Sequence, residues 1–206
     1  MAFGLRAKKP RVAVALSGGV DSSVAAALLQ QRGYDVLGVF MKNFSSEGWA
    51  GVLSAACPWE QDQADAGEVC RRLRIPFQSV NFEREYQRLV INYFFAEYRA
   101  GRTPNPDVRC NRAIKFGLFW QQAQALGCRL MATGHYARTS RGRLYRGVDR
   151  RKDQSYFLSD LTAAQLARTV FPLGGLTKPQ VRAFARRCKL PTAEKKDSQG
   201  ICFIGH

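Results

Sequence analysis

One stretch limits what this chain can fold into more than any other. A short apolar, β-branched run at residues 11–16 meets Ser17-Gly18-Gly19, and an alanine- and leucine-rich stretch at 22–31 then stops at Gly33. This reads as strand, tight loop, helix and stop. A second strand is expected at 35–41, a helix at 60–74 closed by Ile75-Pro76, and a further strand at 77–82. Alternation of strands with helices implies βαβ units and therefore a parallel sheet, an α/β, Rossmann-like architecture. Residues 83–100 carry an apolar helical stripe ended by Gly101. The two prolines of Thr103-Pro104-Asn105-Pro106-Asp107 argue against helix there and for a loop. A helix is then expected over 111–125, a short strand over 130–133, and a helix over 178–189 within a basic, helix-rich final third. No repeat or linker divides the 206 residues, so one domain over 1–206 is expected.

Charge narrows the partners. Thirty-two Lys plus Arg against 16 Asp plus Glu leave a formal +16, a field that favours polyanions. The longest apolar run, 24–29, is six residues, far short of the roughly 18–20 that a membrane helix needs. The basic N-terminus lacks the apolar core of a secretory signal, so an intracellular location is expected. The six cysteines lie at least thirteen positions apart with no C-x-x-C, which argues against a zinc knuckle and a thioredoxin-type pair.

Three segments carry chemistry. In the loop between the first strand and helix, paired glycines let backbone approach an anion, and the helix start adds unpaired N–H donors. Ser17, Ser22 and Ser23 add hydroxyls, and Asp21 is suited to hold Mg²⁺ or orient a phosphate. The bland alternative is an ordinary strand-to-helix turn with a serine cap. In Asn105-Pro106-Asp107-Val108-Arg109-Cys110, a cysteine at a helix N-terminus beside Arg109 would be a reactive thiolate, with Asp107 a general acid or base. A proline-rich turn with a passive cysteine also fits. The third segment, residues 195–205, holds Cys202 between apolar residues, and only a fold can bring it across 92 positions to Cys110. A basic strip at 138–152, with seven basic residues against Asp149, fits phosphate contacts or a solvated face.

Together these segments resemble the tRNA-specific 2-thiouridylases of the MnmA/TrmU type, in their N-terminal PP-loop ATP-pyrophosphatase domain. The likeness runs from about Val12 to Gly205. It rests on Ser-Gly-Gly-Val-Asp-Ser-Ser, Phe-Met-Lys at 40–42, Ala-Gly-Arg-Thr-Pro-Asn-Pro-Asp at 100–107, Cys-Asn-Arg-Ala-Ile-Lys-Phe, Ala-Thr-Gly-His-Tyr, Lys-Asp-Gln-Ser-Tyr-Phe-Leu and Gly-Ile-Cys-Phe-Ile-Gly. The resemblance implies the adenine nucleotide alpha-hydrolase fold, ATP with Mg²⁺, tRNA as substrate, and a persulfide donor such as a cysteine desulfurase or relay protein. Ala15, Leu16, Ser17, Gly18, Gly19, Val20, Asp21 and Ser22 would contact ATP phosphates, and Met41 and Gly134 the adenosine. Asn105, Pro106 and Asp107 would surround the target base. His135, Lys152, Asp153 and Gln154 would touch tRNA. Cys202 would carry the persulfide and Cys110 would resolve it, through a transient disulfide, giving 2-thiouridine at the wobble position. Cys57, Cys70, Cys128 and Cys188 gain no role. The family acts in the cytoplasm, or in an organelle in eukaryotes, and continues into β-rich domains beyond the position of His206. Competing readings are a PP-loop amidotransferase or ligase, a non-catalytic RNA-binding remnant, and a variant in which Asp107, Cys110 and Cys202 ligate an iron–sulfur cluster.

Overall fold

The computed structural model describes residues 9–45, 59–197 and 203. β1 (Lys9–Leu16), α1 (Val20–Gln31), β2 (Tyr34–Lys42), α2 (Trp59–Leu73) and β3 (Phe77–Asn81) follow one another as the sequence pattern predicts. α3 (Glu83–Tyr86), a π turn at Gln87–Ile91 and α4 (Asn92–Arg99) form one helical run. α5 (Pro106–Cys110), a π-helical stretch at Asn111–Leu118 and α6 (Phe119–Ala125) form another. β4 (Leu130–Ala132) precedes an antiparallel hairpin of β5 (Ala137–Ser140) and β6 (Arg143–Arg146). A 3-10 turn at Ser155–Leu158, α7 (Ala163–Ala167), β7 (Thr169–Val170) and α8 (Lys178–Arg187) complete the described chain.

The main sheet has five parallel strands in the order β3-β2-β1-β4-β7. The chain builds outward from β1 in one direction, then returns to add β4 and β7 on the other side. That reversal opens a crevice beyond the C-terminal ends of β1 and β4, where ligands of open α/β sheets bind.

Central β1 shows why its sequence is continuously apolar. Val12, Val14 and Leu16 face a core formed with α1, α2 and α8, while Ala13 and Ala15 face a second core with Phe116, Phe119, Trp120 and Leu166. Val12 and Val14 are 0% exposed, and burial of each side chain is worth roughly 1.5–3 kcal/mol. A third cluster lies beyond the strand ends and contains Phe44, Tyr86, Val90, Ile91, Cys110, Ile114 and Phe203.

Two expectations need correction. Pro106 and Asp107 are helical, because proline at the first helical position has no intrahelical bond to lose and Asn105 caps the end. The Asn105 side chain accepts from the backbone N–H groups of Asp107 at 3.0 Å and Val108 at 3.2 Å. Cys110 is consequently the last residue of α5, not the first of a helix. The basic strip, within the third expected to be helix-rich, instead turns back on itself: Arg141 and Gly142 both have positive φ, at 49° and 71°, as the tight hairpin turn requires.

Candidate active site

The glycine loop sits at the mouth of the crevice. Gly18 is held there by the protein itself: its φ is +72°, and a Cβ would overlap the Asp62 backbone of α2. Gly19 is different. Its backbone is extended, with φ −95° and ψ 166°, and a Cβ would meet only the Ser17 hydroxyl at 3.5 Å. No protein contact demands glycine there, so the bare backbone leaves room for something else. The first N–H groups of α1, on Val20, Asp21 and Ser22, point from a helix start with no intrahelical acceptor.

Ser22 and Ser23 are buried and spend their hydroxyls inside the loop, donating to the Gly19 carbonyl at 3.1 and 2.7 Å. The Ser22 hydroxyl also accepts from the Ser17 N–H at 3.2 Å. Of the three serines expected to offer hydroxyls, Ser17 alone is exposed. Ala15, Leu16 and Val20 are buried, which leaves their backbone as the contact they can make.

Asp21 is already engaged. The Lys178 ammonium lies 2.8 Å from both its oxygens, and the Tyr136 hydroxyl donates to it at 2.8 Å. Burial, followed by the Asp21 charge and hydrogen bond, raises the Tyr136 pKa strongly, so the phenol stays a donor. Among the described residues no group of three His, Cys, Asp or Glu is arranged to hold a metal ion.

Beyond β4, a Cβ on Gly134 would come within 2.7 Å of the Ser22 nitrogen and 2.9 Å of the Asp21 carbonyl carbon. The backbone after β4 thus packs directly on the start of α1. Met41 is half-buried against the second core. His135 is 8% exposed, hydrogen-bonded through Nδ1 to the Thr133 hydroxyl at 2.8 Å and flanked by Phe116 and Phe171. Burial, reinforced by the nearby Lys115 charge, drives its pKa well down and keeps it neutral.

Asp107 is half-buried at the start of α5, and burial raises its pKa against the opposing charge of Lys115. That shift suits a group that holds and returns a proton. Cys110 is 7% exposed. Arg109, expected to lower its pKa, turns elsewhere: its Nε donates to the Leu89 carbonyl at 3.0 Å, and its guanidinium lies 4.9 Å from the Tyr93 ring centroid. Cys202 and Cys57 lie outside the described residues. Phe203, next to Cys202 in the chain, packs in the Cys110 cluster with its ring 6.3 Å from Tyr86 and 5.4 Å from Phe94.

Of the residues expected at tRNA, Asp153 and Gln154 brace their own loop. Asp153 accepts from Gly147 N–H at 3.0 Å and Ser155 N–H at 3.2 Å, and Gln154 accepts from Tyr136 N–H at 3.1 Å. Lys152 binds Asp197 at 2.7 Å.

Two site residues had no strong signature in sequence, Lys178 and Asp197. Thr177 and Gln180 mark a capping box, which announces a helix start but says nothing of where Lys178 reaches. Asp197 shows only as a single carboxylate after two lysines. In the structure it receives Lys152 and Lys178 at 2.7 Å and Arg182 at 2.8 Å. Burial works to raise its pKa, but hydrogen bonds from Lys152 and Lys178 outweigh that and bring it from 3.8 to about 2. A depressed carboxylate stabilises the fold above its unfolded value and loses that contribution as pH falls toward its folded value. Asp197→Asn should therefore lose less Tm than the wild type between about pH 4 and pH 2, as followed by circular dichroism. Equal acid slopes would remove this group from the acid response.

Comparison with known proteins gives the family and the fold. The family model described as tRNA methyl transferase HUP domain matches residues 10–206. The tRNA-specific 2-thiouridylase MnmA of Enterococcus faecalis is 54% identical over 202 residues, covering 96% of this chain and 53% of that protein. MnmA of Bacillus thuringiensis is 54% identical over 199 residues, 95% of this chain and 53% of its own length. The chain thus spans about half the length of these curated relatives. Among solved structures, a 4-thiouridine synthetase in complex with RNA and bound ATP superposes with a TM-score of 0.62 at 18% identity, over 95% of this chain and 45% of that one. NMN synthetase from Francisella tularensis gives 0.56 at 19%, over 97% and 69%. At such identities the likeness is one of fold, the PP-loop nucleotide fold with its parallel sheet.

Proposed function

The chain belongs to the tRNA methyl transferase HUP domain family, and from that membership we propose that it is the ATP-using domain of a tRNA-specific 2-thiouridylase. The observation that carries the reading is convergence: the loop with its open Gly19, the buried Cys110 and Phe203, neighbour of Cys202, all stand beyond the C-terminal edge of one sheet. A ligase that joins an amine to a carboxylate needs a nucleotide loop but no pair of cysteine segments beside it.

A uridine C2 oxygen is a poor leaving group. ATP supplies activation by transferring AMP to that oxygen, with pyrophosphate released. The glycine loop and the first turn of α1 hold the phosphates through backbone N–H groups. Mg²⁺ would neutralise charge on those phosphates, and Asp21, in the first turn of α1, is the residue that would hold it or orient a phosphate. Asn105 to Asp107 surround the unstacked base, and Asp107, with its raised pKa, handles a proton there.

The terminal sulfur of a persulfide on Cys202 attacks C2 and AMP departs, leaving a C2–S–S–Cys202 link. The Cys110 thiolate then attacks the Cys202 sulfur. A Cys110–Cys202 disulfide forms, the C2-bound sulfur leaves with the tRNA as 2-thiouridine, and an external thiol restores both cysteines. The persulfide is delivered by a cysteine desulfurase or a relay protein, and the reaction belongs in the cytoplasm, or in an organelle in a eukaryote.

The direct test incubates the chain with tRNA, ATP, Mg²⁺ and a persulfide donor, then reads nucleosides by mass spectrometry. 2-Thiouridine together with tRNA-dependent AMP is the expected result. Formation of neither would overturn the assignment.

A further inference from the structure

Among the described residues five lysines are half-buried, and four of them meet a carboxylate. Lys42 lies 3.0 Å from Glu83, Lys152 2.7 Å from Asp197, Lys178 2.8 Å from Asp21 and Lys195 2.7 Å from Asp62. Lys115 is the exception: among the described residues no carboxylate comes within ion-pair distance of its ammonium. It stands on the π-helical stretch Asn111–Leu118, and Asp107, Asn111 and Lys115 follow at intervals of four along the run that begins with α5, so they share one face. The next residue, Phe116, is 1% exposed and packs on the His135 ring with centroids 6.0 Å apart. His135 in turn follows Gly134, whose backbone packs on the start of α1. The Lys115 charge reaches to both sides. Burial raises the Asp107 pKa and that charge opposes it, while burial lowers the His135 pKa and the same charge adds to it. An ammonium drawn out of water is costly unless an anion meets it. A second unmet group lies on the same face: Asn111 is 2% exposed and donates to the Phe157 carbonyl at 3.0 Å, but its Oδ1 has no hydrogen-bond partner. An open cation beside an open acceptor suits a ligand that brings both an anion and an N–H or O–H donor.

We propose that Lys115 is a catalytic residue whose ammonium binds the phosphoryl group that passes from ATP to the target uridine, between Asp107 and the start of α1. The inference rests on the thiouridylase reading and adds to it a residue outside the glycine loop and the cysteine segments. In adenylation the uridine O2 bonds to the α-phosphorus and the N3 proton passes to Asp107. The bond to the bridging oxygen breaks, and its electron pair leaves on pyrophosphate. In sulfur transfer the persulfide sulfur bonds to C2, the C2–O bond breaks and its pair leaves on AMP. The proton returns to N3 when the thione forms. Negative charge stays on one phosphoryl group through both steps and grows on its oxygen as AMP departs, so a fixed ammonium there lowers both barriers. A transferring phosphoryl group fits better than an RNA backbone phosphate, because Lys115 is half-buried between the carboxyl set beside the base and the backbone that packs on the phosphate loop.

Rapid-quench assays of the 206-residue chain with saturating ATP, Mg²⁺ and tRNA read pyrophosphate release, and anisotropy reads tRNA binding. Lys115→Ala should slow tRNA-dependent pyrophosphate release by about 10²- to 10³-fold at saturation, the scale of one lost oxyanion donor, with tRNA affinity and Tm close to wild type. Added methylammonium should restore part of that rate, and Lys115→Arg should retain more activity than Lys115→Gln. A lysine that only props its helix would lower Tm and gain nothing from the amine, which would overturn the proposal. A wild-type saturated rate in Lys115→Ala also overturns it. If Gly19→Val is inactive in the same assay, the nucleotide reading of the loop stands and the role of Lys115 falls alone. Weaker tRNA binding with a shallower salt dependence, at an unchanged saturated rate, would assign the ammonium to an RNA backbone phosphate and overturn the proposal as well. Should Lys115→Ala fail to fold, an undiminished saturated rate in Lys115→Gln overturns it instead. If the wild type releases no pyrophosphate with tRNA, the thiouridylase reading fails and this inference fails with it.

Discussion

Gly19→Val is expected to abolish tRNA-dependent AMP formation from ATP while the protein melts within a few degrees of wild type. The two adjacent glycines separate stability from activity. Gly19 has an extended backbone that valine adopts without strain, and its Cβ would meet only a hydroxyl at 3.5 Å. Loss of a glycine cap costs at most about 1 kcal/mol. The isopropyl group would nevertheless stand where pyrophosphate must approach the N–H groups of Val20, Asp21 and Ser22. Removal of one preorganised donor from an oxyanion typically costs about 10²- to 10³-fold, so blocking the cradle should cost about 10³-fold or more. Gly18→Val should behave oppositely. Its positive φ and the overlap with Asp62 make it a folding defect before it is a catalytic one. Gly134→Ala should join it, because its Cβ would press on the start of α1 at 2.7 Å. Wild-type AMP formation by Gly19→Val would sink the loop assignment.

The sheet was legible because its strands obey simple patterns. β1 is apolar at every position from Val12 to Leu16 because both faces are covered, and Gly33 ends α1 with a φ of +83°. The helical runs around Cys110 were less legible, since periodicity at 3.6 residues cannot announce a π-helical stretch. The proline rule failed at Pro106 because a cap by Asn105 turned a breaker into a helix start. For the site, the glycine loop stands out in sequence because its residues are contiguous. Lys178 and Asp197 do not, because their meaning lies in distance: Lys178 reaches Asp21 across 157 positions. Neighbours in the chain also misled. Arg109 is adjacent to Cys110, yet its side chain is drawn away by the carbonyl of Leu89 and the face of Tyr93.

In a single turnover without added thiol, Cys110→Ser and Cys202→Ser should each eliminate 2-thiouridine formation, by about 10³-fold or more, since serine can neither carry a persulfide nor supply a comparable nucleophile near neutral pH. Cys70→Ser and Cys128→Ser should leave thiolation in place. Burial pushes the Cys70 thiol up to about 12 and that of Cys128 upward as well, so neither provides a thiolate. Cys70 also packs where β2 carries Gly38, and the cost of a buried serine should appear in Tm instead. The two cysteine variants should fail differently. Without Cys202 no sulfur reaches the base, and activated tRNA can only hydrolyse. Without Cys110 the first attack still occurs, but nothing breaks the C2–S–S–Cys202 link, so Cys110→Ser should accumulate tRNA joined to protein through Cys202. Added dithiothreitol would cleave that link and release 2-thiouridine in a single turnover. Gel shift under non-reducing conditions, followed by peptide mass spectrometry, reads both the adduct and its position. A persulfide found on Cys110, or an adduct accumulating in Cys202→Ser, would reverse the two roles.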